Sequence, residues 1–249
     1  MSFKDHFSRQ SGAYAAARPS YPDALFDAVA AQCRGHAQAW DAGCGNGQAA
    51  VAWAARFASV FASDPSAAQI AHATAHPRVR YAVEPAEACS LGDASVDLVS
   101  VAQALHWFDF PRFFAEVRRV LRPGGVFAAW SYGLMRITPA VDTVLHAFEH
   151  ATVGPWWPPE RRHVDAGYRT IAFPFPRMDL PHSSMVLDWD AAQVLAYLGT
   201  WSAVQRHDAA TGRDGIADLR PALEAAWGDP ALRRRVEWPL VVWAGRAPD

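Results

Sequence analysis

The sequence predicts an α/β fold in which helices cover both faces of a doubly wound, mostly parallel sheet. Three observations carry that reading. Short apolar segments alternate with helix-forming ones over residues 37–130, the pattern of a sheet built from crossover units. The segment 97–101 is apolar and β-branched, as strands covered on both faces are. The turn Asp41-Ala42-Gly43-Cys44-Gly45-Asn46-Gly47 joins the first such strand to a helix, at the strand end where open sheets bind ligands.

Two helices are expected ahead of the sheet, over 3–17 and 22–32, with Pro22 in the first turn, where a missing N–H costs nothing. Between them runs the turn-rich stretch 14–22. The first strand covers 37–40 and its helix 48–57. The second, 59–63, ends in Asp64-Pro65 and precedes a helix over 66–75. Strands three and four are 79–83 and 97–101. A helix over 111–121 meets Arg122-Pro123-Gly124-Gly125, a stop signal, before strand five at 126–130. The alternation then breaks. A helix at 139–151 is followed by Pro- and Trp-rich runs at 154–159 and 173–176, which read as an insertion capping the C-terminal edge of the sheet. Residues 185–189 read as a strand, 191–198 and 216–227 as helices, and 235–244 as a late strand. Pro239 inside that strand points to an edge or a bulge. The expected organisation is one domain over 1–249: a helical lid (1–36), a core (37–132), a cap (133–206) and a segment completing the sheet (207–249).

At 249 residues and 51% hydrophobic content, the chain is long enough to bury a substantial core. A net charge of −2 with no long basic run argues against nucleic acid as an obligatory partner. Three cysteines without a C-x-x-C pair make neither a disulfide framework nor a zinc ribbon. The N-terminus lacks the apolar core of a leader peptide, and no run approaches the roughly 20 apolar residues of a membrane span. A cytoplasmic protein, monomer or homodimer, acting away from membranes on a small molecule is the expectation. His146-Ala147-Phe148-Glu149-His150 matches H-x-x-E-H, but a zinc peptidase also needs a third protein ligand and a matching fold. No metal is expected, and these histidines are expected on a cap helix facing solvent or the substrate pocket.

The chemistry centres on the glycine turn. A dinucleotide site wants G-x-G-x-x-G with a pyrophosphate on the helix N-terminus. Here the spacing is G-x-G-x-G behind an acid, Asp41. An acid repels a pyrophosphate but attracts the sulfonium and α-amino group of S-adenosylmethionine (SAM). Asp64, roughly 20 residues on, can accept ribose hydroxyls across the switch point or cap the next helix. In the loop 83–87, backbone near Ala86 can meet an adenine edge, while Glu87 sits beside it or caps a helix. Gln103 is expected to point into the cofactor crevice, with His106 and Trp107 at its mouth. His106 has the ordinary pKa of a general base, and a His beside aromatics is also a common packing residue. Trp107, Tyr132, Trp156, Trp157, Tyr168 and Trp201 either enclose an acceptor or pack the cap.

Taken together, the glycine turn, Asp64, Pro85-Ala86-Glu87, the run from Gln103 to Trp107, and Leu121-Arg122-Pro123-Gly124-Gly125 resemble a class I SAM-dependent methyltransferase of the type 11 group. Tyr14 with Arg18-Pro19-Ser20-Tyr21-Pro22, and the run Ala104 to Asp109, are similar to the trans-aconitate methyltransferase-like branch, whose best-known members esterify small carboxylates. The resemblance covers 3–130 well and the rest weakly. It implies a Rossmann-like, seven-stranded sheet with an antiparallel C-terminal strand, a helical lid and a cap after strand five. It implies SAM as methyl donor, S-adenosyl-L-homocysteine as product, and a small acceptor, a carboxylate in the branch named. Asp41, Gly43 and Gly45 would line the methionine and ribose part of SAM. Asp64, followed by Pro65, would hold the ribose. Ala86 and Glu87 would lie by the adenine and Gln103 by the methionine end. Tyr14 and Arg18 would belong to the lid, with Trp107 and Tyr132 on the acceptor side. One departure is Pro85, which stands where many relatives carry an adenine-reading Asp, leaving that contact to the backbone. A carboxylate acceptor would need a cation, for which Arg18, Arg136, Arg161, Arg162 and Arg169 are candidates. A phenol, amine or carbon acid would need His106 as base. The rival readings are an NAD-type oxidoreductase, disfavoured by the glycine spacing and Asp41, and a SAM-binding protein without catalysis.

Overall fold

The computed structural model describes residues 19–249. The expected helix at 3–17 and the lid candidates Tyr14 and Arg18 lie outside the described residues. Eight strands form the sheet: β1 Gln38–Ala42, β2 Ser59–Asp64, β3 Val79–Val83, β4 Val96–Ala102, β5 Leu121–Tyr132, β6 Arg177–Met178, β7 Ser184–Trp189 and β8 Arg234–Arg246. Their order is β3-β2-β1-β4-β5-β8-β6, and β7 pairs with β8 off this path. The first five strands pair in parallel. β8 runs antiparallel to β5, β6 and β7. The seven strands marked in the sequence are all present, and the eighth, β6, has two residues, too few to carry any periodic signal.

The chain winds outward from β1 through β2 to β3, then returns to place β4 on the other flank of β1. Strand order therefore reverses between β1 and β4, which opens a crevice at their carboxyl ends. Away from the register shift at the start of β4, strand residues alternate between two apolar layers. Ala39, Leu98, Val126, Ala128 and Trp130 face one layer with Phe26 and Trp53. Trp40, Val99, Phe127 and Ala129 face the other with Phe61 and Phe113. Each such fully buried large side chain contributes about 1.5–3 kcal/mol.

The helices are α1 Asp23–Ala30, α2 Gln48–Ala54, α3 Ala67–Ala71, α4 Phe110–Val120, α5 Pro139–Ala147, α6 Arg161–Asp165, α7 Ala191–Gly199, α8 Ser202–Thr211 and α9 Gly215–Trp227. Pro22 stands at the N-cap of α1, one position ahead of its first turn. The helix expected at 139–151 ends at Ala147 and continues as a π-turn, Phe148–Thr152. α8 has no counterpart in the sequence reading, because only Ala203, Val204 and His207 of its ten residues are buried, a stripe too thin to register as amphipathic.

The stop signal at 122–125 does something different from what its composition suggests. α4 passes directly into β5, whose Leu121 already pairs with Val96. The register shifts between the Val96 and Leu98 rungs, so the Arg-Pro-Gly-Gly stretch lies within the strand as a bulge. Gly124 takes φ +70°, and its N–H donates to the Pro248 carbonyl at 3.1 Å.

Candidate active site

The glycine turn caps the crevice between β1 and β4. Gly43, Gly45 and Gly47 take φ of +68°, +53° and +86°, the left-handed region that side chains disfavour. Space adds a second constraint at two of them. A Cβ on Gly43 would sit 2.8 Å from the Ala104 Cβ, and one on Gly47 would sit 2.2 Å from the Tyr81 hydroxyl. Among the described residues nothing lies nearer than 3.9 Å to a Cβ on Gly45, so there the turn presents bare backbone. The Gly43 and Cys44 amides donate to the Ser63 carbonyl at 2.8 and 3.0 Å, tying the turn to β2.

Asp41 lies wholly buried at the end of β1. A relay fixes it from below: the Trp53 indole N–H donates to Ser100 Oγ at 2.8 Å, and that hydroxyl donates to Asp41 Oδ1 at 2.9 Å. Asp41 Oδ2 is a buried oxygen without a hydrogen-bond partner among the described residues. Burial pushes the carboxyl up to about 7, Asp64's charge adds to this, and the Ser100 hydroxyl and the Ala50 backbone oppose it. A desolvated acid with one oxygen unsatisfied costs stability unless a donor or a cation arrives. This donor set, beside bare glycine backbone, fits the cationic, hydroxyl-bearing SAM and does not fit a pyrophosphate.

Asp64 ends β2, and both its oxygens accept backbone N–H groups, Oδ2 from Gly45 and Oδ1 from Ser66, each at 2.9 Å. It splints the glycine turn; the cap of α3 is Ser66, whose Oγ accepts from the Gln69 amide at 3.3 Å. Pro65 follows half-buried, and Ala86 is buried at the edge of the second layer.

Glu87 follows one of its two expected alternatives: its Oε1 accepts the amide of Asp109, the N-cap residue of α4, at 2.8 Å. Two expectations on this rim are corrected. Gln103 does not extend freely into the crevice. Its side-chain amide donates to the Tyr132 carbonyl at 2.9 Å and accepts the Tyr132 N–H at 3.2 Å, adding a rung to the β4–β5 ladder. It does so at φ +54°, an uncommon conformation for a residue with a side chain. Tyr132 is buried in the α1-side layer, its ring edge-on to Tyr21, so it packs the core.

His106 and Trp107 fall on a 3₁₀ turn, Leu105–Trp107, directly after β4. Trp107 is half-buried, with its ring 4.8 Å from the His106 ring. His106 is 8% exposed, and its Nδ1 lies 3.3 Å from the hydroxyl of fully buried Tyr168. Burial lowers its pKa to about 3, and the Arg161 and His163 charges add to this. It is a neutral imidazole with little affinity for a proton. Helix α6 packs against this turn and brings Arg161 and Arg162 to a cavity of about 390 Å³ in the cap. Arg161 pairs with Glu149 and Asp165, each at 2.7 Å, and stacks over Trp157, while Arg162 is exposed. Arg136 and Arg169 are exposed too.

Comparison with known proteins accords with this geometry. The sequence profile of the methyltransferase domain family matches residues 40–129. A provisionally named methyltransferase of Dictyostelium discoideum is 34% identical over 229 residues, spanning 90% of this chain and 87% of its own. The chain belongs to the SAM-dependent methyltransferases. A solved structure from Anaeromyxobacter dehalogenans, provisionally named a type II methyltransferase, is 50% identical, with a TM-score of 0.87 over 93% of this chain and 99% of that one. A Haemonchus contortus phosphoethanolamine N-methyltransferase, solved with phosphomonomethylethanolamine and S-adenosylhomocysteine, shares the fold at 18% identity and a TM-score of 0.52, over all of this chain and 61% of that one.

Two site residues escaped sequence reasoning. Ser100 and Trp53 hold Asp41, yet neither belongs to a motif. The one available signal was a serine in the middle of a mostly apolar strand, in phase with Leu98. Among the described residues, no helix of this methyltransferase is long and apolar enough to cross a membrane.

Proposed function

We propose that this methyltransferase esterifies a small carboxylate, as the trans-aconitate methyltransferase-like branch does, and that it needs no general base. The observation that carries this reading is the state of His106. It is buried with its Nδ1 3.3 Å from the Tyr168 hydroxyl, and burial lowers its pKa to about 3, which makes the imidazole a poor acceptor for a phenol's proton. A carboxylate is ionised already and needs only orientation.

Bound SAM supplies a methyl carbon already activated by its sulfonium. The chain's part is to hold donor and acceptor together and exclude water. Asp41, Gly43 and Gly45 hold the methionine and ribose part, Asp64 the ribose, and the backbone at Ala86 the adenine. Gln103 acts as a positioning residue: its bonds to the Tyr132 backbone fix the ends of β4 and β5, where the methionine end of SAM would be held. Trp107 shields the mouth from water. Arg161 and Arg162 offer the cationic surface for an anionic acceptor, with Arg162 the more available because Arg161 is already paired. Tyr14 and Arg18 close the lid. The reading carries with it a single domain made of lid, core, cap and C-terminal completion. It also carries a cytoplasmic monomer or homodimer without nucleic acid or membrane partners.

The test is a SAM-dependent screen of polycarboxylates, fatty acids and phenols that detects S-adenosylhomocysteine release, repeated with His106→Ala. Turnover on a carboxylate that survives in His106→Ala within about fivefold is the expected result. Preferential turnover of phenols, lost in that variant, would overturn the proposal.

A further inference from the structure

The H-x-x-E-H motif is not absorbed by methyl transfer. The sequence led to an expectation of no metal and of two histidines on a helix; the structure adds geometry. His146 lies at the end of α5, while Glu149 and His150 lie on the π-turn that follows. One nitrogen of each histidine and one oxygen of the glutamate lie within 4.8 Å of one another. The two imidazole rings stand side by side, 5.9 Å between centroids. We propose that the cap binds one divalent cation of the zinc class through His146, Glu149 and His150.

Several features carry the proposal. The donor set, two imidazoles and a carboxylate, suits borderline divalent ions. Tetrahedral coordination at bonds of about 2.0–2.1 Å sets the donors roughly 3.4 Å apart, and both histidines are exposed and able to close that gap by rotation. Glu149 is fixed in place: it is 8% exposed, and Arg161 holds its Oε1 at 2.7 Å. The other oxygen is turned toward His150, 3.8 Å from its Nδ1; that nitrogen is hydrogen-bonded to the His146 carbonyl at 3.0 Å, so His150 would present Nε2 or turn its ring to bind. Arg161's charge is shared with Asp165, also at 2.7 Å, which reduces its opposition to an incoming cation. Lastly, Glu149 and His150 line the 390 Å³ cavity together with Trp157, Pro158 and Arg162, so open coordination positions have room for water or an anion. The π-turn widens the backbone at this point, an irregularity frequent at functional sites.

The test uses the full chain, purified without a polyhistidine tag and stripped with chelator. Zinc is titrated by calorimetry, and cobalt by its visible absorption. The expected result is one ion per chain, with affinity reduced at least tenfold in His146→Ala and in His150→Ala. Zinc should raise the thermal midpoint of the wild type and leave that of the double variant unmoved. Both side chains are exposed, so the variants keep the fold, which circular dichroism checks. Absence of saturable binding, or equal binding by the double variant, would overturn the proposal.

Discussion

Asp41→Asn separates what Asp41 does for the ligand from what it costs the fold. The substitution preserves shape and retains an oxygen to accept from Ser100 while removing the charge. Asp41 rises from 3.8 to about 7 on folding, which corresponds to about 4 kcal/mol against the ionised form. The sign follows from linkage: the group costs nothing below the unfolded pKa near 4, and the penalty builds until pH passes the folded value near 7. At pH 8 the wild type without ligand bears all of it. The asparagine variant escapes that penalty but leaves a buried NH₂ where Oδ2 stood without a partner, worth about 1–3 kcal/mol in the other direction. The net expectation at pH 8 is a variant more stable by about 1–3 kcal/mol, with the gain gone at pH 4. SAM affinity should fall by at least tenfold in Asp41→Asn. In the wild type it should weaken as pH drops below about 7, since a cationic ligand favours the ionised acid. Urea melts at the two pH values and calorimetric SAM titrations from pH 6 to 8.5 measure both halves. A variant that binds SAM normally, or that loses stability at pH 8, would refute the reasoning.

The remaining predictions concern the turn and the rim. Gly47→Ala forces a methyl to within 2.2 Å of the Tyr81 hydroxyl at a left-handed φ; a stability loss of about 2 kcal/mol or more and weaker SAM binding are expected, read by urea melts and calorimetry. Gln103→Ala and Gln103→Gly both delete the rung to Tyr132, but only alanine retains the strained φ. The glycine variant should therefore be the more stable of the two by about 1 kcal/mol, and a reversed order of thermal midpoints would show that the strain is not there.

The parts legible in the sequence were those written in local patterns. Short apolar runs separated by helix-forming segments marked the parallel strands, and the acid ahead of three glycines marked the turn. What escaped was set by partners distant along the chain. Gln103 looks like a crevice residue until β5 places the Tyr132 backbone opposite it. Glu87 reads as a helix-end partner, but that the amide it accepts is Asp109's, 22 positions away, shows only in the fold. The pKa of His106 is unreadable from its neighbours in sequence, because the burial that lowers it comes partly from the cap residue Tyr168, 62 positions on. The Arg-Pro-Gly-Gly stretch misled for a related reason: its turn chemistry is real, but strand pairing turned it into a bulge.

β8 has a consequence for how the molecule comes apart. Its residues 240–246 pair with β5 of the core, and residues 234–239 pair with β7, with Pro239 at the handover. One unbroken strand thus belongs both to the cofactor-binding sheet and to the antiparallel β7–β8 pair. Opening that pair exposes backbone groups of the same strand that closes the core edge. The two regions are therefore coupled in one cooperative unfolding unit. Loops of the cap are free to vary with the acceptor, whereas excising the cap as a module would leave β8 half unpaired.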